Sequence, residues 1–389
     1  MEISLLDGKL LAKLEGKIDS TNSEQFKNEI MPYFDNNDIK SVELDCLKLS
    51  YISSAGLRVI LNIAKICKDL TVSNVNTEVY NVLEMTGFTE MMKVVSAYRE
   101  ISVEGCEVIG VGAMGKVYKI DNENIVKTYL NPESLENIKR ERELARTALV
   151  LGLPTSISYE VVKVGPGYGS VFEMLNAESF AKLFNTDDEN EFNKYLDLYV
   201  NLLKDIHSKN SDHPLLADAK KRFLDRIQTI KNQVDELTYN KILSMASEIP
   251  DSNTVLHGDF HVKNVMMQGD EVMLIDMDTL AKGDIIFEFA GMYEAYIGYN
   301  SRTEEETFFL GLPNSKCLKI YNGFVRKYFS NKSEEEILEL LNKIECVGAI
   351  DMLSYVVKDP EFFGNEKGFN IYRNILLNVV TKINDLKLN

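Results

Sequence analysis

"VLHGDFHVKNVMM", residues Val255 to Met267, sets a histidine, an aspartate, a second histidine, a lysine and an asparagine among apolar neighbours. Asp259 and Asn264 stand at a D-x-x-x-x-N spacing. In that spacing a carboxylate accepts the proton of an attacking hydroxyl, and an amide oxygen helps hold magnesium on a nucleotide. A short run leads to "EVMLIDMDTL", where Asp276 is expected to end an apolar strand and offer the hard oxygen ligand that magnesium prefers. Asp278 is either a second acid beside the metal or a strand-end residue. His257 and His261 are expected to brace the loop through backbone hydrogen bonds and not to carry protons.

Upstream, "VIGVGAMGKVYKI" places Gly110, Gly112 and Gly115 in a G-x-G-x-x-G pattern, which dinucleotide turns and phosphate-covering loops share. In a dinucleotide fold the glycines open a helix. Here Val117, Tyr118 and Ile120 keep strand character, so a strand-turn-strand is expected, its bare backbone N–H groups free to approach phosphate oxygens. "ENIVKTYL" then reads as a strand carrying Lys127, either an exposed strand lysine or a phosphate contact. "NIKRERELARTALVLGLP" reads as a helix from which Glu141 or Glu143 pairs with Lys127, unless both simply face solvent.

The 389 residues suffice for two or three domains, and 45% hydrophobic with 26% charged residues is an ordinary globular composition. A net charge of −17 speaks against a broad nucleic-acid surface, so an anionic nucleotide has to be held by local donors and a metal. The five cysteines show no Cys-x-x-Cys or Cys/His spacing, which suggests neither a disulfide framework nor a zinc site. No apolar run reaches membrane-span length, and "MEISLLDGKL" lacks the pattern of a secretory signal. A cytoplasmic protein without membrane or nucleic-acid partners is expected.

From Met1 to about Arg99 short strands alternate with amphipathic helices: "LLAKLEGKID" and "SVELDCL" as strands, "SEQFKNEIMPYF" as a helix, "LTVSNV" as a further strand and "EVYNVLEMTGF" as a short helix. "SAGLRVILNIAKICKDL" carries Leu57, Ile60, Leu61 and Ala64 at helix-face spacing. Before it, in "YISSAGLRVIL", Ser53 and Ser54 stand where free N–H groups and the positive dipole end favour an added phosphate, and where a serine also serves as an ordinary N-cap. No long linker separates this block from the next strand near Ile101.

"HGDFHVKN" followed by "LIDMD" resembles the catalytic and metal-binding segments of the aminoglycoside phosphotransferase and choline kinase branch of the protein-kinase-like fold. The resemblance implies an α+β two-lobed domain over 101–389, with an N-lobe to about 175, a C-lobe from about 176 and a hinge at "VFEMLNA". It implies ATP and Mg2+ as cofactors, Asp259 as base, Asn264 and Asp276 on the metal, and Gly110, Gly112, Gly115 and Lys127 on the nucleotide. The "ERE" before the helix favours Glu143 as the ion-pair glutamate. Val262 and Lys263 replace the proline and glycine of many relatives, and Glu288 stands where they often have aspartate. "LEGKID", "LDCLKLSYISSAGLRVIL" and "VYNVLEMTGF" resemble the anti-sigma factor antagonist (STAS) domain, an α/β fold, over 1–100. Aligned on Gly56, Ser54 falls on the family's phospho-acceptor, Ser53 on its aspartate and Ala55 on the following hydroxyl. The resemblances together imply a phosphotransferase acting on a small-molecule hydroxyl or a protein serine, with an anti-sigma-like partner at the first domain. The competing reading is a partner-switching regulator whose second block only senses nucleotide.

Overall fold

Asp7 (φ 50°) and Gly8 (φ 82°) form a two-residue turn that joins β1 (Glu2–Leu6) to β2 (Lys9–Ile18) as an antiparallel hairpin. Two consecutive positive φ angles give the turn a twist that matches the strands, and an Asp-Gly pair supplies them readily. The computed structural model describes residues 1–36, 38–112, 115–129, 135–302, 309–360 and 366–388. It divides into two compact units, Met1–Ser102 with Val161–Pro166, and Val103–Glu160 with Gly167–Asn389.

In the first unit the hairpin leads to β3 (Ser41–Ile52), β4 (Leu70–Val75) and β5 (Lys93–Ser96), and β2 to β5 run parallel in chain order. Each crossover carries a helix, as parallel strands require: α1 (Ser23–Ile30), α2 (Ser54–Ile66) and α3 (Thr77–Met85). The single helix expected across "SEQFKNEIMPYF" is broken at Met31, because Pro32 begins a separate turn, Pro32–Asn36. Leu10, Ala12, Leu14, Val42, Leu44 and Val72 alternate inward from the strands onto Leu57, Ile60 and Ile63 of α2. This is the α/β domain the sequence predicts.

The second unit begins with antiparallel β6 (Glu107–Gly112), β7 (Gly115–Lys119), β8 (Asn124–Tyr129) and β9 (Gly167–Glu173), ordered β9-β8-β7-β6. Gly110 and Gly112 therefore lie on one strand and Gly115 on its antiparallel partner, the two strands expected here, while Ala113, Met114 and Leu130 lie outside the described residues. At Gly115 a Cβ would meet Thr128 O at 1.7 Å, so only glycine allows β7 to pair with β8 here, whereas a Cβ on Gly112 would meet nothing within 4 Å. Helix α4 (Leu135–Val150) follows β8.

The rest is mostly helical: α5 (Glu189–His207), α6 (Ala219–Thr229), α7 (Ile286–Tyr293), α8 (Asn314–Tyr328) and α9 (Glu334–Lys358), with the short hairpin β10 (Val265–Gln268) and β11 (Glu271–Leu274). Tyr199, Phe260, Phe289 and Phe324 form its aromatic centre, with Tyr199 stacked on Phe260 at 4.6 Å. That stack plants the opening stretch of sequence in the core.

Gly56, in the first turn of α2, has no room for a side chain: a Cβ would lie 2.7 Å from Ile18 Cγ2 and 2.8 Å from Ile52 Cγ1. Gly56→Ala is expected to destabilise the first unit by about 1–3 kcal/mol. Chemical denaturation followed by circular dichroism measures it, and unchanged stability would contradict this packing.

Candidate active site

The side chain of Lys127 leaves β8 beside fully buried Val126 and is only 16% exposed. Its Nζ donates to Glu141 Oε1 at 2.9 Å and to Asp276 Oδ1 at 2.8 Å, and Tyr129 Oη donates to Glu141 Oε2 at 2.6 Å. Burial by itself pulls the ammonium pKa down, but Asp276 and Glu141 outweigh it and hold the pKa above its ordinary value. Lys127 is thus a fixed positive charge.

The glutamate is Glu141, not Glu143, a correction to the pairing that the "ERE" alignment favoured. Glu141 is buried on the face of α4 that carries Ile138, Leu144, Ala145 and Ala148. Glu143 is displaced about 200° around the helix, and pairs with Arg146 at 3.2 Å with its side chain 43% exposed.

Asp276 lies two residues past the end of β11, in the left-handed region (φ 65°, ψ 69°), and not at the strand's last position. This uncommon backbone for a non-glycine residue accompanies a carboxylate turned onto Lys127. Next to it, burial and then the charge of Asp276 push Asp278 up to about 7.

The loop from His257 to Asn264 is pinned at both ends. His257 N and Gly258 N donate to the two oxygens of buried Glu288, at 2.6 and 3.0 Å, and Thr279 Oγ1 donates to His257 O at 2.9 Å. Val262 N donates to Tyr296 Oη at 3.2 Å. His257 is the brace expected of it: Nδ1 accepts from Asp259 N at 3.3 Å, which leaves Nε2–H to donate to Ile275 O at 3.3 Å. His261 differs, because its Nε2 lies 3.4 Å from Asp259 Oδ1 and its ring meets Phe309 edge-on. It touches the carboxylate directly and does not brace the backbone through its ring.

Asn264 Nδ2 donates to both Asp259 O and Asp259 Oδ2 at 3.0 Å. Burial pushes the Asp259 pKa up, but the hydrogen bond and charge of His261, with His257 and Asn264, prevail and hold it below the ordinary value. The carboxylate is therefore ionised at neutral pH and able to accept a proton. Ile275 N donates to Asn264 O at 3.0 Å, which ties Asn264 to the residue before Asp276. With its nitrogen engaged, Asn264 has its amide oxygen left as a ligand, and that oxygen with the Asp276 carboxylate suits magnesium, which binds through few protein oxygens and keeps its waters.

Lys127, Glu141 and Asp276 share a cleft of about 360 Å³ with apolar Ile109, Val117, Phe172, Leu175 and Met266. Gly110 lines it too, and the segment Met174 to Ala177 after β9 forms another wall, where the hinge was expected. Such a slot, apolar with a few convergent charges, is the usual form of a cofactor site.

Residues 105–312, more than half of the chain, match the phosphotransferase enzyme family. The chain belongs to that family. Its phosphotransferase domain follows a STAS domain matched over residues 2–101. A candidate anti-sigma factor antagonist of Bordetella bronchiseptica, BtrV, is 36% identical over 96 residues, 24% of this chain and 82% of that protein. Among solved structures, ADP-bound aminoglycoside phosphotransferase APH(2'')-Ib superposes with a TM-score of 0.50 at 16% identity, covering 79% of this chain and 99% of that one. That likeness shows the kinase-like fold. Among the described residues no helix is long and apolar enough to cross a membrane.

In the STAS domain Ser54 is the exposed first residue of α2, and Ser53 occupies the N-cap position with extended backbone (φ −92°, ψ 172°). Ser53 makes no side-chain cap bond, and its Oγ is buried without a partner among the described residues. The N-cap hydrogen bond open to this serine is not made.

Glu288 was noted only as a departure from relatives, yet it carries both amides at the start of the loop. Glu288→Ala strips these amides of their acceptor and is expected to cost about 2–4 kcal/mol. A thermal melt unchanged from wild type would show that the loop holds itself without it.

Proposed function

We propose that the second domain transfers the γ-phosphoryl group of ATP, with Mg2+, to a hydroxyl acceptor. The observation that carries this reading is one connected set: Lys127 held by Glu141 and Asp276, and Asp259 held by Asn264 beside it in sequence and hydrogen bonding. Lys127 neutralises nucleotide phosphates, Glu141 and Tyr129 orient it, and Gly110, Gly112 and Gly115 form the cover over them. Asn264 and Asp276 hold the metal, whose contribution is to screen phosphate charge. Asp259 accepts the proton of the incoming hydroxyl as its oxygen attacks. The ADP complex of the structure with the matching fold supports an adenine nucleotide here.

The STAS domain, with its boundary near residue 100, serves as a regulatory or docking module in a cytoplasmic protein, and Ser54 is its candidate phospho-acceptor. Exposure of Ser54 at the first turn of a helix favours this, since a phosphate there gains from the dipole and carries about −1.5 to −2 charges that repel an acidic partner surface. The second reading, a partner-switching regulator whose kinase-like domain senses nucleotide or acts on a protein serine, rests on the same residue.

Asp259→Asn is expected to keep nucleotide affinity while turnover falls by about a hundredfold or more. An ATP-consumption assay over a panel of hydroxyl compounds measures this, and phosphosite mapping of the same reactions asks whether Ser54 is modified. Equal loss of binding and turnover would remove Asp259 from the role of base.

Glu141 and Glu143 separate cleanly. Glu141→Gln should raise the apparent KM for ATP by about tenfold, the worth of one charge-assisted contact, while Glu143→Gln should match wild type. The reverse order would overturn the pairing.

A further inference from the structure

A second cavity of about 360 Å³ in the same unit is lined by Gly258 and Asp259, but its chemistry differs from that of the cleft around Lys127. Arg222 and Arg226 enter it from α6, Asp351 from α9, and Glu294 from the π-helical turn Glu294–Gly298 that continues α7. Such wide turns inside helices recur at functional sites.

Bases and acids meet in this cavity: Arg222 and Arg226 share it with Asp259, Asp351 and Glu294. Arg226 Nη1 forms an ion pair with Asp351 Oδ2, and its guanidinium lies 4.9 Å from the centre of the Tyr355 ring. The carboxyl of Glu294 is hydrogen-bonded to Asp351 as well, and burial, then the charge of Asp351, raises the Glu294 pKa well above its ordinary value. Arg226 and Glu294 both engage Asp351, whose charge also acts on Arg222. Arg222, one turn before Arg226, makes no hydrogen bond or ion pair among the described residues. The charges of Arg226 and Arg140, and with opposite sign that of Asp351, act on Arg222. Arg140 itself donates to Asp278 O at 3.3 Å and to Leu215 O at 3.4 Å. In a chain of net charge −17, Arg222 is thus a guanidinium without a hydrogen-bonded carboxylate among the described residues, in the same cavity as the candidate base.

We propose that the phosphoryl acceptor is a small anionic hydroxyl compound, a hydroxy acid or a hydroxylated phosphate ester, whose anionic group is held by Arg222 while its hydroxyl faces Asp259. The proposal rests on the phosphotransfer reading of the Asp259 site and names its substrate class. A planar guanidinium matches carboxylate and phosphate oxygens in pairs, and Arg222, with no hydrogen bond to any described residue, breaks none with them in binding. A polycation such as an aminoglycoside would meet like charge at Arg222. In the transfer, the acceptor oxygen forms a bond to the γ-phosphorus. The bond from that phosphorus to the β,γ-bridging oxygen breaks with its electron pair leaving on ADP, and the hydroxyl proton passes to Asp259.

The test is calorimetric binding to the full chain of matched probes: glycerate and glycerol 3-phosphate against neutral glycerol, cationic choline and kanamycin. Expected are saturable binding of the two anions, a loss of about tenfold or more in Arg222→Ala, and weaker binding of the neutral and cationic probes. Arg222 is exposed and bonded to no described residue, and Arg222→Gln, which keeps the stem, provides a second variant should the alanine form fold poorly. Binding of neither anion, anion binding unaltered in the variants, or tighter binding of glycerol, choline or kanamycin overturns the proposal. ATP consumption in the same samples separates the two claims. Turnover with a neutral or cationic acceptor preserves phosphotransfer and sinks the anionic class, whereas Arg222-dependent anion binding without any turnover does the opposite.

Discussion

An ammonium buried between two carboxylates organises the second domain. Lys127 from a strand, Glu141 from a helix and Asp276 from a bend after a hairpin meet within hydrogen-bonding distance. Each of the three would be costly to bury alone, and removing one member of such a set strands the others. The cluster also leaves a site of high local charge in a mostly apolar cleft. In the proposed reaction a nucleotide phosphate would compete for the lysine, and a divalent ion for Asp276.

The Asp259 side, which accepts the proton in the proposed reaction, is built on a different principle, a loop held by its backbone. Glu288, Thr279, Tyr296 and His257 satisfy main-chain groups around Asp259, and the stack of Phe260 on Tyr199 fixes the loop in the core. Asp259 is then positioned by Asn264 and His261, which also keep it ionised. Rigid support of this kind lets one carboxylate serve a reaction that depends mainly on placement.

Much of this was legible in the sequence. The order of glycine pattern, strand lysine, D-x-x-x-x-N segment and following aspartate, with the resemblance of "HGDFHVKN" and "LIDMD", led to the kinase-like fold; strand-helix alternation gave a small α/β domain, and the resemblance of "LEGKID", "LDCLKLSYISSAGLRVIL" and "VYNVLEMTGF" made it a STAS domain. The choice of Glu143 went wrong although a signal for Glu141 was present: Glu141 falls in phase with Ile138, Ala145 and Ala148, so helix periodicity marks it as the inward carboxylate. The role of Glu288 and the contact of His261 with Asp259 were not legible, because both depend on elements brought together across the fold. The same holds for the Arg222, Arg226, Asp351 and Glu294 group, whose members come from three helical segments far apart in sequence.

The central claim is that Lys127, Glu141, Asn264 and Asp276 form a nucleotide and metal site. The most direct measurement is the affinity of the full chain for ATP, titrated with Mg2+ and again with a chelator, in wild type and in Asp276→Asn. The account predicts binding that strengthens with Mg2+ in the wild type and loses that dependence in the variant. Equal affinity with and without metal in the wild type, or an unaltered metal dependence in Asp276→Asn, would contradict it.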